Sequence, residues 1–237
     1  RRLTSNEILI GVIKMSTYCC SDIHGVYGLY KKIKDFISPE DKVYFLGDAV
    51  DRGPEPWKCF KSIYYDPQFI FLKGNHEDML AKSIYDYATY ESFCGDNYYL
   101  HTRNGGEQTC AEWKEDGADL TWCRKINGLQ KTATYYRKDG KIVVLSHAGF
   151  TPGSKLTDFI WDRKHIHDAF DSKEYPDVYV VHGHTPWCYI ADVDDESEPY
   201  VYTYALGHKI DIDCGSFWTN TIALLDLETF ETIYFKV

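Results

Sequence analysis

The chain has 237 residues, enough for one domain or at most two and long enough to bury a core without disulfide or metal staples. Hydrophobic residues make up 44% and charged residues 26%, which excludes disorder along most of its length. The net charge of −10 excludes bulk nucleic-acid binding, because neutralising a phosphate backbone takes surplus Lys and Arg. A locally positive pocket is still open to an acidic chain if metal ions supply the charge.

The first 14 residues contain two arginines and a short apolar stretch, Ile8 to Ile13. They lack an initiating Met and a small-residue cleavage site. Met15 reads as the native start, with 1–14 a leader and 15–237 a single domain. Tyr18 to Ser21 is a short buried strand, followed by Asp22-Ile23-His24-Gly25. Val26, Leu29, Tyr30, Ile33, Phe36 and Ile37 then recur at helical spacing until Ser38-Pro39 stops the helix. Val43 to Leu46 is a second strand ending at Gly47-Asp48. Trp57, Phe60, Ile63 and Tyr64 give a second helix. Phe69 to Leu72 is a third strand, ending at Gly74-Asn75-His76-Glu77. Repeated strand-helix units of this kind predict a layered α/β domain, with ligands beyond the carboxyl ends of the strands.

Residues 78–135 break the pattern. They are rich in Tyr, Trp and charge, are punctuated by glycines, and read as a helical insertion over or beside the site. Strands return at Ile142 to Leu145, Val178 to Val181, Lys209 to Ile212, Thr221 to Leu225 and Thr232 to Phe235, the later ones resembling an antiparallel half. The acidic run Asp192 to Glu198 lacks the glycine and spacing of a calcium loop and reads as a solvated face. Eight scattered cysteines with no CxxC pair read as reduced, mostly buried thiols of a cytoplasmic protein. No apolar run reaches membrane-spanning length.

Singly, each polar cluster is weak: Asp-x-His is usually a structural pair, and Gly-Asp is common turn chemistry. The order carries the information. Asp22 and His24, Asp48 and Asp51 with Arg52, Asn75 and His76, His147, and His184 each follow a predicted strand and each lie beside glycine, which lets backbones approach closely. Strand ends need no histidine for stability. Oxygen and imidazole donors together suit Mn, Fe or Zn better than calcium.

Ser-Asp-Ile-His-Gly at 21–25, Gly-Asp-Ala-Val-Asp-Arg-Gly at 47–53 and Gly-Asn-His-Glu at 74–77 resemble the three signature motifs of the PPP metallophosphoesterases. His147-Ala148-Gly149 and Gly183-His184-Thr185 resemble the two later histidine motifs, in the form of the bacterial and phage (lambda-type) serine/threonine protein phosphatases. The resemblance implies a calcineurin-like α/β fold, a central β-sandwich of two mixed sheets flanked by helices. It implies two divalent transition-metal ions, manganese first and Fe or Zn as alternatives. Asp22 and His24 would bind one ion, Asp48 would bridge, and Asn75, His147 and His184 would bind the other. Arg52 and Arg163 would hold phosphate, and Asp51 with His76 would form the acid pair that protonates the leaving oxygen. The implied reaction is hydrolysis of a phosphomonoester by a metal-bridging hydroxide, on phosphoserine or phosphothreonine proteins or small phosphate esters, with no nucleic acid or membrane partner. Hydrolysis of dinucleoside polyphosphates of the diadenosine tetraphosphate type is the alternative. An inactive, partner-binding relative is disfavoured by the intact ligand set. His182 stays open as a neighbour of the ligands or a ligand itself, because it shares a face with His184 if the strand is extended. His165 and His167 read as exposed loop histidines, Glu77 as a helix start, Asp213 as a supporting residue, and Asn104-Gly105-Gly106 as an edge of the insertion near the substrate.

Overall fold

The computed structural model describes residues 15–168 and 170–237; the leader expected at 1–14 lies outside them. In chain order the strands are β1 (Thr17–Cys20), β2 (Lys42–Phe45), β3 (Phe69–Phe71), β4 (Thr132–Tyr136), β5 (Ile142–Ser146), β6 (Val178–His182), β7 (Tyr202–Tyr204), β8 (Lys209–Asp211), β9 (Thr221–Asp226) and β10 (Thr232–Lys236). The helices are α1 (Tyr27–Phe36), α2 (Pro56–Tyr65), α3 (Asn75–Tyr90), α4 (Asp96–Arg103), α5 (Glu107–Glu115), α6 (Thr121–Asn127), α7 (Asp158–Trp161), α8 (Trp187–Ala191) and α9 (Ser216–Thr219).

Side chains alternate across a strand, and here both faces of the first sheet are apolar. Tyr18 and Cys20, Val43 and Phe45, and Ile222 and Leu224 enter one core, which Leu29 and Ile33 of α1 and Trp57, Phe60 and Ile63 of α2 complete. Cys19, Leu46, Leu72 and Leu225 point the other way and meet Val143, Leu145, Val181 and Ile210 of the second sheet. The result is two five-stranded sheets, ordered β10-β9-β1-β2-β3 and β4-β5-β6-β8-β7, packed face to face and flanked by helices. Both are mixed: β1, β2 and β3 run parallel, as do β5, β6 and β8, while β9 pairs antiparallel with β1 and β10, β4 with β5, and β7 with β8. Six parallel strands thus aim their carboxyl ends at one rim of the sandwich.

Three boundaries differ from the sequence reading. The helical run closes at Asn127, and Thr132–Tyr136 is an edge strand paired with β5. Its Thr and Tyr content suits a strand, but its faces are only half buried, so no alternation marked it. β7 is three residues long, too short for any period to show. β8, expected in an antiparallel half, is parallel to β6. The acidic run at 192–198 is exposed, as expected. Six of the eight cysteines are buried. Among the described residues no helix is long and apolar enough to cross a membrane.

Candidate metal centre

Five of the six parallel strands each deliver one polar cluster to the same rim. Asp22 and His24 follow β1, Asp48 follows β2, Asn75 and His76 open α3 just after β3, His147 follows β5, and His184 follows β6. Their backbones are strained: Asp22, His24, Asp48, Asp51, Arg52 and His184 all have positive φ, between 43° and 74°, a region that costs non-glycine residues about 1–3 kcal/mol each. Two glycines permit the close approach: a Cβ on Gly74 would lie 2.2 Å from Asp48 Oδ1, and one on Gly183 2.0 Å from Asp22 Oδ2.

Asp48 lies at the centre. Its Oδ2 is 3.7 Å from His24 Nε2, 3.8 Å from His76 Nε2 and 3.4 Å from His147 Nε2. Two groups able to hold a metal ion, His24-Asp48-His76 and Asp48-His147-His184, therefore share this one carboxylate. Asp22 sits just outside the tighter group, its Oδ1 4.0 Å from His24 Nε2 and its Oδ2 accepting the His184 N–H at 3.1 Å. Asn75 Oδ1 is 2.8 Å from His147 Nε2 and 2.9 Å from His184 Nδ1.

Backbone carbonyls set the tautomers. His24 donates Nδ1–H to Val50 O at 3.0 Å and His147 donates Nδ1–H to Leu46 O at 3.1 Å, which leaves each Nε2 lone pair facing the cluster. Asn75 Oδ1, His147 Nε2 and Asp48 Oδ2 then converge as acceptors, an arrangement that fits a cation. Burial works against a charged ring at His147, but the Asp48 and Asp22 carboxylates outweigh it and hold its pKa up at about 9. Burial and the Arg52 guanidinium hold His24 well below the ordinary histidine value, and burial and His147 do the same to His184. Burial pushes Asp48 up, but the His147 and His76 rings overcome it and keep the carboxyl ionised.

Beside this cluster, His76 Nδ1 is 2.6 Å from Asp51 Oδ2. Arg52 donates to His24 Nε2 at 3.1 Å and to His76 Nε2 at 3.0 Å, and its guanidinium lies 4.8 Å above the Phe217 ring. Arg163 donates to Thr185 Oγ1 at 3.1 Å, one residue past His184. Between them opens a cleft of about 420 Å3 whose walls include Arg52, Arg103, Arg163, Tyr189 and Phe217. Among the described residues no carboxylate lines it, although the chain as a whole is acidic.

The family model for calcineurin-like phosphoesterases matches residues 15–188. The chain belongs to that family. It is similar to a symmetrical bis(5'-nucleosyl)-tetraphosphatase of Wigglesworthia glossinidia brevipalpis, 28% identical over 68% of this chain and 54% of that one; the chain spans about half the length of that relative. It is 26% identical to the asymmetrical bis(5'-nucleosyl)-tetraphosphatase PrpE of Anoxybacillus flavithermus, over 81% of this chain and 78% of that one. A solved serine/threonine phosphatase of Saccharomyces cerevisiae superposes with a TM-score of 0.59 over 94% of this chain and 80% of that one, at 14% identity, a likeness of fold alone.

All ten residues singled out from the sequence of this family member gather at the rim, but several of their neighbours stand differently from the sequence expectation. β6 ends at His182, and His184 has a φ of 69°. The extended strand needed to align the two rings is therefore absent, and His182 turns away: it donates to Gly183 O and accepts from Tyr204. His165 is buried, not exposed, with its ring 4.8 Å from that of His182; His167 is exposed as expected. Asp213 is buried, and burial and the charge of Asp22 raise its carboxyl. Glu77 does more than start a helix. It accepts the backbone N–H groups of Asp48, Ala49 and Gly74 at 2.7, 2.8 and 2.9 Å and so pins the loop that carries Asp48. Burial and the Asp48 charge push it up to about 7. The sequence reading missed Thr109 and His101 altogether. Both come from the insertion, and both bond Asp51.

Proposed function

We propose that the protein hydrolyses phosphorus–oxygen bonds at a site whose two histidine groups, sharing Asp48, would hold two ions, and that its substrates are dinucleoside polyphosphates, cleaved at a phosphoanhydride bond. The observation that carries the hydrolytic reading is the position of the Asp48 carboxylate, common to two separate histidine groups. Asp22 and His24 would hold one ion; Asn75, His147 and His184 would hold the other. Bound divalent ions supply positive charge to a phosphate oxygen and make water available as hydroxide near neutral pH.

The remaining roles fall to the chain itself. Arg52 and Arg163 flank the cleft and can fork onto phosphate oxygens as charge builds in the transition state. With phosphate present, Arg52 leaves His76 Nε2, and that atom carries the proton given to the leaving oxygen. Asp51 fixes the His76 ring through Nδ1. One water is consumed: its oxygen forms the new bond to phosphorus, the bond to the leaving oxygen breaks, and that oxygen takes the proton.

Two observations support the substrate reading. The cleft has a third arginine, Arg103, beyond the two that one phosphate uses, and it has aromatic walls in Tyr189 and Phe217, suited to a phosphate chain with a planar base. The similarity to bis(5'-nucleosyl)-tetraphosphatases extends over 68% and 81% of the chain. A protein phosphatase acting on phosphoserine or phosphothreonine is the second reading, favoured by the Asp-Arg-Gly and Gly-Asn-His-Glu motifs. Manganese-loaded protein assayed against diadenosine tetraphosphate and a phosphoseryl peptide separates the two. Higher kcat/KM on the dinucleotide, abolished by chelator, is expected. A preference for the peptide overturns the substrate reading, and turnover that survives chelation overturns the metal reading.

A further inference from the structure

We infer that His101, carried by the helical insertion, is a positioning residue that holds the Asp51 carboxylate in register with His76. The inference rests on the acid-pair reading above and adds a third member to the pair. His101 Nε2 lies 3.0 Å from Asp51 Oδ1 and 2.9 Å from Oδ2, so one N–H straddles both oxygens. His76 Nδ1 takes the same Oδ2 at 2.6 Å, and the Thr109 hydroxyl donates to Oδ1 at 2.5 Å. The three donors come from α3, α4 and α5, and Asp51 and His101 are both fully buried.

Two further features fit positioning better than incidental packing. Asp51 has a φ of 74°, a conformation that persists only where surroundings over-determine it. A carboxylate on such a backbone, free to rotate about its own bonds, would not present one chosen oxygen to His76. The three donors remove that freedom. The insertion is in turn shaped around the His101 ring: a Cβ on Gly106 would lie 2.2 Å from it, and the ring's Nδ1 meets Ser83 Oγ at 3.0 Å. The same loop touches the neighbouring arginine, since Gly105 O accepts the Arg52 N–H at 3.1 Å. Asp51 and Arg52 are thus both set from the insertion. The charges agree with this: burial opposes a charged ring, but Asp51 outweighs it and holds His101 up at about 10, so it meets the Asp51 anion as a cation at neutral pH.

The test uses the full chain loaded with manganese. Bound manganese, kcat and KM are measured on aryl phosphates of graded leaving-group acidity for wild type, His76→Asn, His101→Leu and His101→Gln. His101→Leu should lower kcat on phenyl phosphate by roughly 10–100-fold, as loss of an orienting partner does. It should lower kcat on a dinitrophenyl phosphate by a few-fold at most, with KM and manganese content unchanged. His101→Gln, whose amide nitrogen can still donate to Asp51, should recover most of the loss. A uniform loss across leaving groups, no loss, or a folded Gln variant as slow as His76→Asn overturns the inference. The Gln arm decides the matter if the Leu variant does not fold. A His76→Asn variant with no leaving-group dependence overturns the acid-pair reading itself, whereas dependence in His76→Asn and none in His101→Leu sinks only the role of His101.

Discussion

The candidate metal cluster and the proposed acid pair lie side by side, His76 Nε2 being 3.8 Å from Asp48 Oδ2, but are built from different material. Asp22, His24, Asp48, Asn75, His147 and His184 stand just beyond the carboxyl ends of parallel strands, and carbonyls of that same rim, Val50 O and Leu46 O, fix two of the rings. The sandwich places them. Asp51 is also at the rim, but its carboxylate is held by residues 25, 50 and 58 positions away, two of them in the insertion. Burying several charged groups in one place is costly, and the two regions compensate differently. The first is arranged to receive cations, and the second neutralises its one anion with imidazole and hydroxyl donors. Damage to the first should therefore remove metal and activity together. Damage to the second should slow turnover and leave metal in place.

The sharpest break is Asp48→Asn. Removing the shared carboxylate should cost metal content and reduce hydrolysis to the chelated background, read by elemental analysis and an aryl phosphate assay. Full metal occupancy in that variant would erase the proposed division. Next comes His76→Asn, which should retain both ions and lower kcat on poor leaving groups by about 10²–10⁴-fold, the usual worth of a general acid; loss of metal instead would move His76 into the metal region. Glu77→Gln probes the support of the first region. Its amide would set an N–H against a backbone N–H of the Asp48 loop, and metal affinity should fall by about 10–100-fold, measured by competition with a chelating dye. Unchanged affinity would show that the strands alone hold Asp48.

The smallest effect is a pH dependence of stability. His101 stands at about 10 in the folded protein, against about 6.5 for a free histidine. A raised value contributes stability that is fully present below the unfolded pKa and disappears as pH rises through the folded one. Burial pushes Asp51 up, but His101 and His76 hold it well below the ordinary carboxylate value. Its own contribution is present above the unfolded carboxylate range and is lost only in strong acid. The stability difference between wild type and His101→Gln should therefore shrink between neutral pH and about pH 10, read as denaturation midpoints. A constant difference would mean that His101 is neutral in the folded protein.

Short, continuous apolar strands and the helical spacing of α1 and α2 settled the layered α/β class from local pattern, because a strand buried on both faces and a helix buried on one each leave their own apolar spacing. The order of Asp22-x-His24, Gly47-Asp48, Asn75-His76, His147 and His184 named the polar residues that the rim gathers. Those side chains follow strands directly, so their place along the chain predicts their place in space. Tertiary structure alone decided the rest. Whether His182 or His184 faces the cluster turned on one left-handed backbone position. β4 and β7 emerged only through pairing with neighbours. The partnership of Asp51 with His101 and Thr109 leaves no local trace, since a hydrogen bond between residues fifty or more positions apart imposes no pattern on the sequence between them.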